Sequence, residues 1–290
     1  MDGSVDGMDL EADLGALSGA ADRVGEALRG VRRLGVAYSG GVDSAVLLAL
    51  AVRALGVPAV LAVLGVSPSL AAAERTGAHE VAAFIGVPVV EVLTREGERA
   101  AYVANGPDRC YHCKDELFTR IDADLAARHG LDAVAYGENA DDARRPDRPG
   151  SQAATEHGVL RPLADAGLTK SDVRALARAM RLPCADKPAA PCLASRIPHS
   201  EPVSAAKLGQ IERAEAALRE LGFTDSRVRH HGEVARVELL RADLPRATAD
   251  PTRDLIVTAV RSAGFRFVAV DLAGIQSGAF TLPLVQAQRG

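Results

Sequence analysis

The chain has 290 residues, 48% of them hydrophobic, and 34 Lys and Arg stand against 38 Asp and Glu, for a net charge of −4. This length suits one long or two modest domains, and high apolar content with low net charge excludes disorder over most of the chain. The charge balance offers no basic excess for nucleic acid, and only 3% of residues are aromatic, which argues against a base-stacking platform. The longest apolar stretch, over 57–66, is too short to span a bilayer. The acidic start lacks a signal-peptide pattern, so we expect a cytoplasmic protein.

Strand and helix patterns alternate in the first part of the chain. The spacing predicts an acidic, disordered lead over 1–12, a helix over 13–30, a strand over 34–38, a helix over 45–55, a strand over 57–66, a helix over 69–85, a strand over 87–93, a loop over 105–114, a helix over 115–129 and a strand over 131–136. This alternation is typical of a parallel sheet with helices on both faces, so we predict an α/β fold.

The later part of the chain has a different pattern. It predicts an exposed loop over 143–158, a helix opened by residues 169–172 and running to 180, a helix over 204–221, two strands within 226–240, a helix over 250–263 and a strand over 266–272. Five prolines over 183–202 are incompatible with a helix or a sheet interior, which predicts an extended connection. We therefore place a parallel-sheet domain over 13–185, a Pro-rich connection over 186–202 and a smaller α+β domain over 203–290.

The run Ser39-Gly40-Gly41-Val42-Asp43-Ser44 lies between the first predicted strand and the next helix. A helix N-terminus attracts anions, and glycines let the backbone approach phosphate oxygens closely. Asp43 suits such a site where a divalent cation bridges it to phosphate. A tight turn with a serine N-cap is the plainer alternative. The run resembles the PP-loop of the ATP pyrophosphatases, which implies that Ser39, Gly40, Gly41, Asp43 and Ser44 bind ATP and that Asp43 is catalytic.

Gly137, Glu138 and Asn139 follow the strand predicted over 131–136. Ligands of open parallel sheets bind beyond the carboxyl ends of the strands. We therefore assign Gly137 and Glu138 to the ATP site, where the Glu138 carboxylate could hold Mg²⁺. A polar helix-capping loop is the alternative.

Two of the four cysteines, Cys110 and Cys113, form a Cys-x-x-Cys pair, which is typical of a metal or redox site. A zinc ribbon needs a second such pair, and Cys184 and Cys192 are not spaced to supply it. Three thiolates would suit an iron–sulfur cluster with one open iron. Ordinary thiols in a loop remain the alternative, and we assign no role to Cys184.

Cys192 lies between prolines, four residues before Arg196. A nearby guanidinium lowers the pKa of a thiol and favours the thiolate. This pattern indicates a reactive cysteine, although a packed small residue would also explain it.

Four motifs, in order along the chain, resemble those of the LarE family. They are Asp108-Arg109-Cys110-Tyr111-x-Cys113-Lys114, Gly137-Glu138-Asn139-x-Asp141-Asp142, Lys187-Pro188 with Pro191-Cys192-Leu193-Ala194-Ser195-Arg196-Ile197-Pro198, and Arg227-Val228-Arg229-His230. The likeness covers residues 13–285. LarE enzymes are ATP-dependent sulfurtransferases that help build the nickel-pincer nucleotide of lactate racemase. The resemblance implies a homo-oligomer that adenylates a carboxylate of pyridinium-3,5-biscarboxylic acid mononucleotide and converts it to a thiocarboxylate.

The resemblance implies two sources of sulfur. In one, Cys110, Cys113 and Cys192 hold a [4Fe-4S] cluster whose open iron carries an additional sulfide of unknown origin. In the other, Cys192 gives up its own sulfur and becomes dehydroalanine. Because all three cysteines are present, we favour the cluster route.

The substrate implied by the resemblance carries a phosphate and two carboxylates. Arg196, Arg227 and Arg229 are the candidates to bind them, because guanidinium groups match such anions bidentately. Arg227 and Arg229 are two apart on a predicted strand and share a face, with the intervening Val228 facing the core. A solvated strand face is the alternative. We add Glu215 and Glu238 as residues that orient an arginine or contact the substrate, although Glu215 could equally be a surface glutamate.

Two other functions remain compatible with these residues. One is a PP-loop enzyme that thiolates tRNA, against which the net charge and the scarcity of aromatic residues count, or that amidates a small acid. The chain lacks a glutaminase Cys-His arrangement, which counts against amidation, although free ammonia could serve. The other is a nucleotide-binding sensor or metal carrier without turnover.

Overall fold

The computed structural model describes residues 14–145 and 149–276. Within them the helices are α1 Ser18–Ala27, α2 Val42–Leu55, α3 Ala72–Ile85, α4 Ala100–Val103, α5 Arg109–Arg120, α6 Ala126–His129, α7 Ala140–Ala143, α8 Pro149–Glu156, α9 Pro162–Asp165, α10 Lys170–Ala179, α11 Ala205–Glu220, α12 Leu244–Thr248 and α13 Thr252–Ser262. The strands are β1 Leu34–Tyr38, β2 Val60–Val66, β3 Val89–Leu93, β4 Ala133–Tyr136, β5 Ser226–His231, β6 Val234–Leu239 and β7 Phe267–Val270. None of the described helices combines the length and apolarity needed to cross a membrane.

The chain divides into two units. The first takes in the described residues of Met1–Ser67, Ala72–Arg95 and Cys110–Ala190, and the second takes in those of Pro68–Ala71, Glu96–Arg109 and Pro191–Gly290. The predicted lead over 1–12 lies outside the described residues, as do the ends of the domains predicted over 13–185 and 203–290.

The first unit is built on a parallel sheet with the order β3-β2-β1-β4, which confirms the predicted α/β fold. Helix α2 packs against β1 and β2 and against α1 and α10, and it is buried from Ser44 to Val52. An all-round apolar helix of this kind is stable only inside a protein. Strand order reverses between β1 and β4, and ligands of open sheets bind at such a reversal. The sheet therefore brings the residues after β1 close to the residues after β4.

The second unit contains a three-stranded sheet with the order β5-β6-β7. Strands β5 and β6 are antiparallel, with Ser226 opposite Leu239 and His231 opposite Val234, and β7 is parallel to β6. Helix α11 packs against β5 and α13. The predicted α+β pattern after the Pro-rich stretch is confirmed in its order of elements.

Two predicted loops are wrong. Helix α5 begins at Arg109, so Cys110 and Cys113 lie on a helix rather than in a loop over 105–114. The preceding Pro107 and Asp108 are residues that favour a helix start, a signal that the spacing argument missed.

The loop predicted over 143–158 contains α8, although residues 146–148 lie outside the described part. Ala153 and Ala154 are fully buried against the cluster that contains Phe118 and Ile121. Small apolar residues that gain such contacts form a helix despite the surrounding Arg, Pro and Gly.

The Pro-rich stretch over 183–202 contains one 3₁₀ turn, Leu193–Arg196, and otherwise neither helix nor strand. The prediction that no α-helix or sheet strand forms there is confirmed. The stretch is not uniformly extended, because backbone hydrogen bonds close turns at Ala185 and Lys187.

Candidate functional site

The phosphate-loop candidate joins β1 to α2. Gly41 is the N-cap of α2, with an extended backbone and no side-chain cap. Gly40 has φ +71°, and a Cβ there would lie 2.7 Å from the Cα and the Cβ of Ala78. Only glycine therefore fits at residue 40. The uncapped helix start leaves N–H groups available to an anion.

The loop hydroxyls converge on one another. The Oγ atoms of Ser39 and Ser44 are 3.2 Å apart, and the Ser44 hydroxyl donates to the Gly41 carbonyl oxygen at 3.0 Å. The Ser39 N–H donates to the Ser44 Oγ at 3.2 Å. Both hydroxyls therefore lie at the helix start, where they could bond phosphate oxygens.

The end of β4 lies directly against this loop. A Cβ on Gly137 would be 2.7 Å from the backbone nitrogen of Ser44 and 2.8 Å from the carbonyl carbon of Asp43. A cavity of about 240 Å³ opens here. Among its lining residues are Ser39, Gly41, Asp43, Ser44 and Gly137. Five of the seven residues assigned to ATP thus line one cavity, as expected for a site at the reversal of strand order.

Two residues missed as site residues by the sequence reasoning contact Asp43. The Lys170 ammonium group forms an ion pair with Asp43 Oδ2, and the Asn139 amide donates to Asp43 Oδ1 at 3.2 Å. Lys170 is the first residue of α10, which Thr169 caps through a capping box with Asp172. The sequence predicts that residues 169–172 open a helix, but nothing in the pattern indicates which loop Lys170 contacts. Asp43 thus presents a carboxylate, the ligand type that Mg²⁺ prefers, at the edge of the cavity.

Glu138 has a different environment from Asp43. Its side chain is buried, it accepts a hydrogen bond from the Ser151 hydroxyl, and its Oε2 is 3.7 Å from Arg161 Nη1. Within the described part of the chain, Oε2 has no hydrogen-bond partner. Glu138 is not among the residues that line the cavity. The structure therefore pairs this carboxylate with Arg161 and Ser151 rather than presenting it to the cavity.

Lys114 brings a further cation to the cavity. Its Nζ lies 4.0 Å from the centroid of the Tyr136 ring, and its stem packs against Gly150, where a Cβ would lie 2.9 Å from Cδ. The sequence places Lys114 in a motif without indicating a role for it. It follows Cys113 on α5, so the helix that carries the two cysteines also carries this charge.

The cysteines differ in exposure. Cys110 and Cys192 are exposed, Cys113 is partly buried and Cys184 is buried. Cys110 and Cys113 are the second and fifth residues of α5, and a spacing of three puts both thiols on one face of the helix. Burial raises the pKa of the Cys184 thiol, which keeps it protonated and agrees with assigning it no role.

Cys110, Cys113 and Cys192 have the ligand chemistry that an iron–sulfur cluster requires, since soft, accessible sulfur ligands favour iron. Over residues 14–145 and 149–276, no three His, Cys, Asp or Glu side chains lie close enough together to hold a metal ion. Of the three candidate ligands, Cys110 and Cys113 lie in the first unit and Cys192 lies in the second.

The arginines and glutamates assigned to the substrate form a buried cluster in the second unit. Arg196 Nε donates to Glu215 Oε1 at 2.9 Å, and Arg229 Nε donates to Glu238 Oε1 at 3.0 Å. All four side chains are at most 7% exposed. Glu215 also accepts from the Val228 N–H at 2.9 Å. Glu215 therefore holds Arg196 in place and is not a surface residue, while Glu238 holds Arg229 and also pairs with Arg236 at 3.2 Å.

Arg227 completes this cluster on β5. It is 5% exposed, and Val228 beside it is fully buried, as predicted. Burial lowers the pKa of Arg227, and the neighbouring Arg196 and Arg229 lower it further. Asp225 and Glu238 act on that pKa in the opposite direction, and Arg236 and Asp271 also join the network. The cluster thus presents several guanidinium groups, the type of group that binds phosphate and carboxylate.

The sheet order, the glycine-rich loop after β1 and the neighbouring end of β4 are those of an α/β nucleotide-binding protein of the PP-loop class. In agreement, the asparagine synthase family matches residues 20–143. An uncharacterized protein of Synechocystis is 41% identical over 243 residues, 84% of this chain and 90% of that protein.

A second relative is the pyridinium-3,5-bisthiocarboxylic acid mononucleotide synthase of Lactiplantibacillus plantarum. It is 34% identical over 268 residues, which cover 90% of this chain and 94% of that protein. An uncharacterized protein of Methanocaldococcus jannaschii is 26% identical over 241 residues, 83% of this chain and 90% of that protein. The chain belongs to the family of the Lactiplantibacillus synthase, the LarE family.

Proposed function

We propose that the protein is an ATP-dependent sulfurtransferase that converts a carboxylate of pyridinium-3,5-biscarboxylic acid mononucleotide into a thiocarboxylate during nickel-pincer nucleotide biosynthesis. The observation that carries this proposal is the 34% identity to the Lactiplantibacillus synthase over 90% of the chain. The cavity beside the phosphate loop and the buried arginine cluster support the proposal, because the reaction needs one binding site for ATP and one for an anionic substrate.

Adenylation is the first step. A carboxylate oxygen of the substrate attacks the α-phosphorus of ATP, and pyrophosphate leaves. We assign the phosphates to the start of α2, to the hydroxyls of Ser39 and Ser44 and to the ammonium groups of Lys114 and Lys170. Asp43 would hold Mg²⁺, which would neutralise phosphate charge.

Substrate recognition falls to the arginine cluster. We assign the phosphate and the free carboxylate of the substrate to Arg196, Arg227 and Arg229. Glu215 and Glu238 act as positioning residues, because each is paired with one of these arginines.

Sulfur transfer is the second step. A sulfur nucleophile attacks the acyl carbon, AMP leaves, and a thiocarboxylate forms. We propose that Cys110, Cys113 and Cys192 would hold a [4Fe-4S] cluster, which would supply this sulfur as sulfide. The donor of that sulfide is unidentified.

A second source of sulfur is favoured by a specific observation. Cys192 is exposed, and its turn is held by Arg196, which donates to the Pro191 carbonyl oxygen at 2.6 Å. In this route the Cys192 sulfur attacks the adenylate and expels AMP. The resulting thioester then loses its Cα proton and breaks its Cβ–S bond, leaving a thiocarboxylate and dehydroalanine.

Pyrophosphate release tests the proposed reaction. Purified protein with Mg²⁺ and ATP should release pyrophosphate only when the pyridinium dicarboxylate nucleotide is present. Nicotinic acid mononucleotide, which has one carboxylate, is the matched control. Release that depends on tRNA, or on a small acid with ammonia, would instead favour thiolation of tRNA or amidation. ATP binding without release would favour a sensor.

Iron content separates the two sulfur routes. Protein purified without oxygen should contain iron and acid-labile sulfide, both lost on substitution of Cys110 or Cys113 by alanine. If iron is absent even after reconstitution, the cluster is excluded. The mass of Cys192 after one turnover, lower by one H₂S, would then identify it as the donor.

We also propose that the chain is a cytoplasmic homo-oligomer. The phosphate loop lies in the ATP domain proposed over 13–185, and the substrate arginines Arg227 and Arg229 lie in the smaller domain over 203–290. The Pro-rich connection over 186–202 would carry Cys192 and Arg196.

A further inference from the structure

Asn105 is an unusual residue in the second unit. It is fully buried, and its backbone has φ +56°, a left-handed conformation that asparagine tolerates better than most residues. Neither the phosphate loop nor the arginine cluster accounts for a buried amide at this position. Its hydrogen bonds show what it does.

The Asn105 amide holds the segment that follows Cys192. Nδ2 donates to the carbonyl oxygens of Pro198 at 2.7 Å and Glu201 at 3.0 Å. The backbone carbonyl oxygen of Asn105 accepts a hydrogen bond from the Ser200 N–H at 3.1 Å. Asn105 thus binds the backbone of residues 198–201, more than 90 positions away in sequence.

Arg109 links Asn105 to the 3₁₀ turn Leu193–Arg196, which directly follows Cys192. Its Nη1 donates both to Asn105 Oδ1 and to the Ala194 carbonyl oxygen, the latter at 3.0 Å. Arg109 is 7% exposed, so its guanidinium depends on protein partners in place of water. The Asn105 oxygen therefore orients the guanidinium that binds the turn.

Two more arginines hold the backbone on either side of Cys192, and one of them belongs to the turn Leu193–Arg196 itself. Arg196 Nη1 donates to the Pro191 carbonyl oxygen at 2.6 Å, and Arg229 Nη1 donates to the Ser195 carbonyl oxygen at 3.0 Å. A single 3₁₀ turn has few carbonyl partners of its own. The backbone around Cys192 is therefore held by side-chain hydrogen bonds, from Arg196 within the turn and from Arg109 and Arg229 outside it.

We propose that Asn105 and Arg109 are positioning residues for Cys192. They fix the backbone of residues 194–201, which follow Cys192, so that the thiol is held in one place for sulfur transfer. This inference rests on the proposed function, and it applies whether Cys192 holds a cluster or gives up its own sulfur. It assigns no chemical step to either residue.

Hydrogen–deuterium exchange on the full chain tests the structural half of the proposal without ATP or substrate. The variant Asn105→Gly keeps the left-handed backbone and removes the side chain. The variant Asn105→Asp keeps the acceptor for Arg109 but replaces the donor to Pro198 and Glu201. Glu98→Gln, an exposed change in the same part of the chain, is the control.

Both Asn105 variants should exchange amide protons of residues 193–203 about tenfold faster, since each loses bonds from a buried donor. Peptides from α2 should be unaffected, and Glu98→Gln should match the wild type. Unchanged exchange over 193–203 in both variants would overturn the proposal.

A comparison of the two reaction steps tests the functional half. In the Asn105 variants, substrate-dependent pyrophosphate release should stay within about twofold of the wild type, while thiocarboxylate formation should fall about tenfold or more. Equal losses in both steps, or unchanged thiocarboxylate formation despite faster exchange, would show that Asn105 is merely structural. If the wild type forms no thiocarboxylate, the proposed function fails, whereas the exchange result still decides whether Asn105 holds the turn.

Discussion

Replacing Gly137 by alanine tests the close approach between the end of β4 and the phosphate loop. The new Cβ would lie 2.7 Å from the nitrogen and 2.9 Å from the Cα of Ser44, and 2.8 Å from the carbonyl carbon of Asp43. All three are backbone atoms of the first turn of α2, so the clash is relieved only if that turn moves. Overpacking of this kind costs about 1–3 kcal/mol.

The same movement would displace the N–H groups that we assign to ATP phosphates. Because about 1.4 kcal/mol corresponds to a tenfold change in affinity, Gly137→Ala should weaken Mg-ATP binding about tenfold or more. The measurement is titration calorimetry with a non-hydrolysable ATP analogue, together with the melting temperature.

Gly19→Ala is the matched control for this variant. Gly19 lies in α1, and a Cβ added there would meet no atom within 4 Å, so alanine should leave ATP affinity unchanged and raise helix stability slightly. If Gly137→Ala bound ATP as tightly as Gly19→Ala and melted at the same temperature, the assignment of the site would be refuted.

Three further predictions concern charged groups. Lys170→Met should leave Asp43 without its cation and weaken Mg-ATP binding at least fivefold by calorimetry, since one such contact contributes about 1 kcal/mol. Lys170→Arg keeps a positive charge and should therefore lose less affinity for Mg-ATP. Glu238→Gln should destabilise the fold by about 3 kcal/mol in urea unfolding, because it leaves Arg229 buried beside a neutral amide. For His157, burial lowers the pKa, but hydrogen bonds to Asp115 and Asp122 raise it more, so the net shift is upward. A raised pKa stabilises the fold below the unfolded value of about 6.5, so His157→Gln should cost about 1 kcal/mol at pH 6 and progressively less as the pH rises through the folded pKa. A pH-independent difference between the two proteins would contradict this account.

The sheet and its nucleotide loop could be predicted from the sequence because their signals are local. Apolar runs of strand length precede Ser39 and Gly137, and a strand followed by glycines and a helix has few alternative conformations. The strand bounds Leu34–Tyr38 agree with the prediction. Strand β2 begins at Val60 because Pro58 lies in a 3₁₀ turn, which an apolar run alone does not reveal.

The missed features depend on contacts between residues that are distant in sequence. Lys170 contacts Asp43 across 127 positions, and Asn105 contacts Glu201 across 96. Such pairs follow from the packing of elements and leave no spacing pattern in one chain. For Glu238 the sequence leaves two roles open, pairing with an arginine or contact with the substrate. The pairing of β5 with β6 brings Glu238 to Arg229, but it does not determine whether Glu238 also contacts a ligand.

Mass spectrometry of the reacted nucleotide tests the central claim most directly. Protein purified without oxygen would be incubated with Mg²⁺, ATP, sulfide and pyridinium-3,5-biscarboxylic acid mononucleotide, with an ATP-free sample as the control. Our account predicts a product in which sulfur has replaced one carboxylate oxygen, formed only with ATP and matched by released pyrophosphate. Recovery of only the unmodified nucleotide would contradict the account, and so would ATP cleavage that runs at the same rate when the pyridinium nucleotide is left out.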